Sequence, residues 1–169
     1  MKARIEEYIR AQKNPPLFPY TTFVYVGFYY QNFQTFFQPT ADLQFRVSLE
    51  PTARLPLYDV RDTGSVVVPC FEHPDRWGHG NVIPIVAQRL TMEEICRTIQ
   101  RVTGNEKIQY IPLSYDQCVG QTKETIDNMR WYNDYGDVEE RHAEKTKQVF
   151  DKMKTLEEWI RETKWLMNE

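Results

Sequence analysis

Apolar residues change their spacing several times along this chain, and each change marks an element. From Lys2 to about Gln12 they recur at Ile5, Tyr8 and Ile9, which is helical spacing, with Glu6, Glu7 and Arg10 left for water. Asn14-Pro15-Pro16 should stop that helix, because proline lacks a backbone N–H and disfavours a helical residue before it. Thr21 to Val26 is a run of β-branched and aromatic residues ended by Gly27, and it reads as a buried strand. A helix followed so closely by such a strand is expected of a βαβ unit whose first strand lies upstream of Met1.

Phe28 to Phe37 then carries Phe28, Tyr29, Tyr30, Phe33, Phe36 and Phe37, a density that suits either core packing or the wall of a cleft. Pro51 to Val60 reads as a loop leading into a short strand. Asp62-Thr63-Gly64 can open a helix with Asp62 as its N-cap, and Pro69 should kink or shorten that helix. Val82 to Val86 is a further short strand. Thr91-Met92-Glu93-Glu94 is a capping box, followed by Ile95, Ile99 and Val102 on one face and Gly104 as a left-handed stop. Lys107 to Ile111 reads as a strand, and Lys123 to Tyr135 as a helix closed by Gly136. Asp137 to Lys154 is highly charged and predicts a solvated helix. Thr155-Leu156-Glu157-Glu158 is a second capping box, leading to Trp159, Ile160 and Trp165.

Composition narrows the classes without choosing one. With 169 residues, 41% hydrophobic and 27% charged, the chain can bury a core as one domain. A net charge of −3, with no basic stripe, argues against direct nucleic-acid binding. Cys70, Cys96 and Cys118 form no CxxC, and His73, His79 and His142 complete no zinc pattern with them, so buried thiols of a reducing compartment are expected. No apolar run is long enough for a membrane span, and Lys2 to Gln12 is too charged for a signal segment; the cytosol or the nucleus is the expected location.

Four stretches in this order resemble the C-terminal half of the NmrA-like family of atypical short-chain dehydrogenases/reductases. They are KARIEEYIR (2–10) running into YTTFVYVGFYYQNF (20–33), LYDVRDTG (57–64), LTMEEICRTIQRVTG (90–104) and TLEEWI (155–160). The resemblance implies an α/β fold: a truncated NAD(P)-binding, Rossmann-like arrangement that keeps its substrate-side portion. Residues 1–37 would be the last helix and strand of the Rossmann part, and 38–169 the substrate-side α+β part. The family's cofactor, NADP or NAD, would be held by a glycine-rich turn upstream. Here Gly27, Gly64, Gly78, Gly80, Gly104, Gly120 and Gly136 are dispersed and form no GxGxxG. Gly78-His79-Gly80 reads instead as a turn before the Val82 strand.

Site residues follow from the same likeness. Lys2 resembles the lysine of the YxxxK catalytic signature, whose tyrosine would fall before Met1; the other reading is a solvated terminal lysine. Gly27 resembles a cofactor contact, and Phe28, Tyr29, Asn32 and Phe33 the border of the substrate cleft, although Tyr25-Val26 replaces the usual Arg-Pro before the glycine. Asp59, Asp62 and Asp75 are acidic, but nothing in the sequence brings them together. His73 and His79 flank PDRWG (74–78), a loop in which Trp77 is expected to be exposed.

Three functions stay open. The first is a non-catalytic regulatory or ligand- and partner-binding protein. The second is an NAD(P)H-dependent oxidoreductase completed by a partner or a longer form, and the third a cofactor-independent enzyme using the aromatic pocket. A strand at Tyr20 to Val26 without its sheet would leave an open edge, so self-association or a protein partner is expected.

Overall fold

The computed structural model describes residues 2–12, 18–118, 121–136 and 140–167. The proline stop expected at 14–16 lies outside them. Helix α1 (Lys2–Ala11) leads to strand β1 (Thr22–Val26), and Gly27 separates β1 from the short β2 (Phe28–Tyr29). After a 3-10 turn over Tyr30–Gln34 come β3 (Gln44–Val47), β4 (Leu55–Tyr58), α2 (Thr63–Glu72) and α3 (Pro74–Trp77). Strands β5 (Asn81–Ile85) and β6 (Gln88–Leu90), helix α4 (Met92–Thr103) and β7 (Gln109–Pro112) follow. Helices α5 (Lys123–Tyr135), α6 (Glu140–Val149) and α7 (Leu156–Thr163) complete the order.

Parallel pairing dominates this mixed α/β fold. Strand β1 pairs with β5, Thr22 opposite Asn81, and the Gly27 N–H continues the ladder by donating to the Ile85 carbonyl at 3.2 Å. Strand β2 runs parallel to β4 with Tyr29 opposite Tyr58, and β4 is antiparallel to β6. Strand β3 pairs in parallel with β7. At Gly27 the chain passes from one sheet to the next with no room for a side chain: a Cβ there would meet the Pro56 carbonyl oxygen at 2.4 Å and that of Ile85 at 2.9 Å.

The main core gathers Leu55 and Leu57 of β4, Met92, Ile95 and Ile99 of α4, and Leu156, Trp159 and Ile160 of α7. Both covering helices start as their sequences predict. Thr91 accepts from the Glu94 N–H while Glu94 accepts from the Thr91 N–H, and Thr155 and Glu158 repeat the arrangement. Gly104 ends α4 at φ 71°, the left-handed stop expected there. The aromatic segment resolves mainly as core: Phe28, Tyr30, Phe33 and Phe37 are buried, whereas Phe36 is 70% exposed.

Four expectations need correction. Strand β1 is not buried; among the described residues it pairs on one side only, and Tyr25 and Val26 expose 41% and 45% of their surface. Asp62 precedes α2 but does not cap it. A 3-10 turn over Val60–Asp62 already starts the helical path, so the capping oxygen comes from Asp59, which accepts from the Arg61 N–H at 3.0 Å. The Asp62 carboxylate accepts instead from the Lys154 N–H at 2.9 Å. Trp77 is buried, because α3 folds it into the cluster of Tyr58, Val66 and Ile83. Helix α6 is not wholly solvated: Thr146 is buried and donates to the Pro84 carbonyl, so this face covers β5. Pro69 stands inside α2, which nevertheless continues to Glu72.

Candidate functional site

Strands β2 and β4 end side by side, at Tyr29 and Tyr58, and the next residue of β4 is the fully buried Asp59. In open parallel sheets the carboxyl ends of strands are where ligands meet the fold. A buried carboxylate must be compensated, and Asp59 is. Its Oδ1 accepts from Gln31 Nε2 at 2.7 Å and from the Arg61 N–H at 3.0 Å, and Arg61 Nε donates to Oδ2 at 2.9 Å. Lys154 Nζ lies 3.9 Å away, and Arg61 and Lys154 both also pair with Glu162. Burial pushes the Asp59 carboxyl up, but the hydrogen bonds from Arg61 and Gln31 outweigh it and hold the group below the usual carboxylate range. The tyrosines beside it are pushed the other way: burial raises Tyr58, and burial together with the nearby Asp59 charge raises Tyr30. The carboxylate is thus fully engaged inside the protein, and the phenols beside it stay protonated.

Around this point the sequence-predicted residues separate. Tyr29 is half-buried, edge-on to Tyr58 at 5.2 Å, and Asn32 is half-buried in the following turn. Phe28 and Phe33 face inward, 5.7 Å apart, as core residues. The Cβ side of Gly27 is closed by the two carbonyls that flank it. Lys2 opens α1, and its side chain lies outside the described residues.

Three cavities that the sequence reading did not foresee adjoin β1. One of about 420 Å³ is lined by Arg10, Phe18, Phe23 and His79. Another of about 410 Å³ lies between Ile5, Ile9, Phe23 and Tyr25, and a third of about 280 Å³ between Tyr20, Val24, Val67 and Phe71. Arg10 ties the first together, with its guanidinium 4.2 Å over the Phe23 ring, Nη1 donating to the Gly80 carbonyl at 3.0 Å and Nη2 paired with Glu6. The Tyr25 hydroxyl donates to Glu6, and this bond above all lowers the Glu6 carboxyl below its ordinary value. No local signal could have found these cavities, since each sets β1 against residues of another part of the chain: His79 and Gly80 in the first, α1 in the second, and α2 in the third. Among the described residues no group of His, Cys, Asp and Glu could hold a metal ion, and no helix is long and apolar enough to cross a membrane.

Against known proteins, residues 1–160 match the NmrA-like family. An NmrA-like family domain-containing protein of Dictyostelium discoideum is 27% identical over 146 residues, covering 80% of this chain and 46% of that protein. The nitrogen metabolite repression protein nmr of Neurospora crassa is 29% identical over 120 residues, covering 65% of this chain and 23% of that protein. Among solved structures, NmrA, a negative transcriptional regulator in complex with NAD, superposes with a TM-score of 0.67 at 19% identity, over 86% of this chain and 53% of that one. A nucleoside-diphosphate-sugar epimerase from Staphylococcus aureus gives 0.68 at 16% identity, over 92% and 56%. The chain thus spans less than half the length of these sequence relatives and about half of these solved structures. The core of β2, β4 and β6 under α4 and α7, the exposed β1 and the match across 160 residues lead to one statement: this chain belongs to the NmrA-like family.

Proposed function

We propose that this chain is the substrate-side part of an NmrA-like regulator, which binds a ligand or partner and does not itself catalyse. Residues 1–37 act as the last helix and strand of a nucleotide-binding half, and 38–169 as the substrate-side part. The observation that carries this reading is the face around β1, where three cavities and the exposed Ile5, Tyr8, Tyr25, Val26 and Phe71 adjoin an unpaired strand edge. Such a face is built to be covered. Two further features support it: the engaged Asp59, and the dispersed glycines, of which Gly27 has its Cβ side closed by backbone.

NADP or NAD is the cofactor of this reading at the family level; the glycines of this sequence form no GxGxxG turn, and no step is assigned to the cofactor. The alternative is an NAD(P)H-dependent oxidoreductase completed by a partner or a longer form. Because the regulator NmrA itself forms complexes with NAD and NADP, cofactor binding alone fits both readings. Titrating the purified chain with NADPH and NADH, followed by tryptophan fluorescence, tests whether it holds a nucleotide by itself, and a Kd of about 1 μM would mean a nucleotide site formed by this chain alone. Turnover of a carbonyl substrate with NADPH would overturn the regulatory reading.

A further inference from the structure

The strand edges of this fold are not treated alike. In the ladder between β1 and β5 the Gly27 N–H reaches the Ile85 carbonyl, so alternate residues of each strand face the partner and the others face away. On β5 the outward residues are Val82 and Pro84. Pro84 has no N–H to offer, its carbonyl accepts from the buried Thr146 hydroxyl of α6, and the Val82 carbonyl accepts from Lys145 Nζ at 3.5 Å. On β7 the Gln109 N–H donates to the Leu43 carbonyl and the Leu113 N–H to that of Val47, which turns Tyr110 and Pro112 outward. Prolines and covering side chains are ordinary guards of an edge.

Strand β1 carries no such guard. Its outward residues are Thr22, Val24 and Val26, and among the described residues no strand pairs with them. Each turns a backbone N–H and a carbonyl away from β5, and the strand holds no proline and no charged residue. Ile5 and Ile9 of α1 flank one side of β1, and Val67 and Phe71 of α2 the other. A strand added here must be uncharged and largely apolar on both faces. The sequence of β1 itself, TFVYV (22–26), meets that description.

We propose that this edge pairs with the same edge of a second copy of the chain, antiparallel, about a two-fold axis through Val24. The proposal rests on the reading that the face around β1 is built to be covered, and it names what covers it. Hydrogen bonding selects the geometry. In an antiparallel ladder the bonded residues lie directly opposite, so outward residues meet outward residues. A two-fold with parallel strands would set each outward residue against its own copy, whereas a parallel ladder needs a step of one residue. An axis through Val24 engages all three: Val24 faces its copy, and Thr22 faces Val26 in both directions. Centring it on Phe23 or Tyr25 would leave one of them beyond the end of the opposing strand. On the α1 side, where Arg10 covers Phe23 and Glu6 holds Tyr25, Phe23 then lies opposite Tyr25 of the other copy, an aromatic cross-strand pair. Because β5 ends the sheet behind its guards, the assembly closes at two copies and does not grow into a fibre.

The test is sedimentation velocity of the whole chain from about 1 μM to about 1 mM, with a monomer–dimer Kd of about 10–100 μM expected. Val24→Pro removes an N–H that takes no part in the ladder with β5, so the fold is kept while the Kd should rise at least about tenfold. Cysteines read the register, and decide the matter where Val24→Pro fails to fold. Val24→Cys should give a disulfide-linked dimer on mild oxidation. Val26→Cys should link only when mixed with Thr22→Cys, and the unaltered chain, whose Cys70, Cys96 and Cys118 are buried, should stay unlinked. A monomer at about 1 mM would mean that the edge awaits a different chain and would overturn the proposal. So would growth past the dimer, a dimer that folded Val24→Pro leaves intact, or Val26→Cys linking by itself as readily as Val24→Cys. None of these outcomes bears on the regulatory reading, which turnover with NADPH decides, so the two fail separately.

Discussion

Strands β1 (TFVYV) and β4 (LPLY) are both largely apolar and live in opposite surroundings. Leu55 and Leu57 of β4 are fully buried beneath α4 and α7, and Tyr58 is fully buried in the second cluster with Val66 and Trp77. Phe23, Val24, Tyr25 and Val26 of β1 are at best half-buried, and α1 beside them leaves Ile5 55% and Tyr8 61% exposed. A β-branched and aromatic run states that a strand can be buried; coverage by other elements decides whether it is. Among the described residues α4 and α7 cover β4 fully, whereas α1 and α2 cover β1 only in part.

The comparison breaks most sharply at the core. Trp159 is fully buried against Tyr30 at 5.6 Å and Trp165 at 5.4 Å, so Trp159→Ala should cost about 4 kcal/mol and bring the urea midpoint down steeply. Asp59→Ala should cost about 2 kcal/mol, because it strands Gln31 and Arg61; the half-exposed Arg61 keeps the loss below that of a fully buried pair. Asp59 also gives the core side an acid sensitivity. Folding lowers its proton affinity, so its stabilisation is complete above the ordinary value near 3.8 and is lost as pH falls through its lower folded value. Denaturant midpoints measured between about pH 5 and pH 2 should fall less in Asp59→Asn than in the parent chain.

Loss of one helix cap by Thr91→Ala should cost about 1 kcal/mol in the same assay, since the Glu94 N–H loses its acceptor. On the other side of the comparison, Val26→Lys should change stability by no more than about 0.5 kcal/mol, because its side chain already meets solvent. It should, however, reduce any concentration-dependent association seen by light scattering, since a lysine on an exposed edge opposes strand pairing. A large stability loss in Val26→Lys would mean that β1 belongs to the core after all.

What was legible in the sequence follows the range of the forces involved. Helices α4 and α7 were readable because a capping box, and for α4 a glycine stop as well, acts within a few residues of itself. The environment of β1 was not, since exposure depends on β5 and on elements that a local pattern does not contain. Trp77 misled for the same reason: PDRWG reads as a turn, but its burial depends on Tyr58 and Ile83. At the candidate site Tyr29 and Asn32 were marked by likeness and remain near the strand ends, whereas the role of Asp59 stayed hidden because Gln31 and Lys154, distant in sequence, converge on it.

The parallel pairing of β1 with β5 also sets a clock. Thr22 finds Asn81, Phe28 finds Leu57, and Gln44 finds Gln109, so each ladder of parallel strands closes a long stretch of intervening chain. Contacts of that separation repay their entropy late, and folds dominated by them form slowly. On the ribosome β1 emerges well before β5, and this ladder waits until the segment beyond Gly80 has left the tunnel. Synthesis of this chain therefore contains a built-in interval in which capture by a chaperone competes with aggregation, and the length of that interval is written in the spacing between two strands.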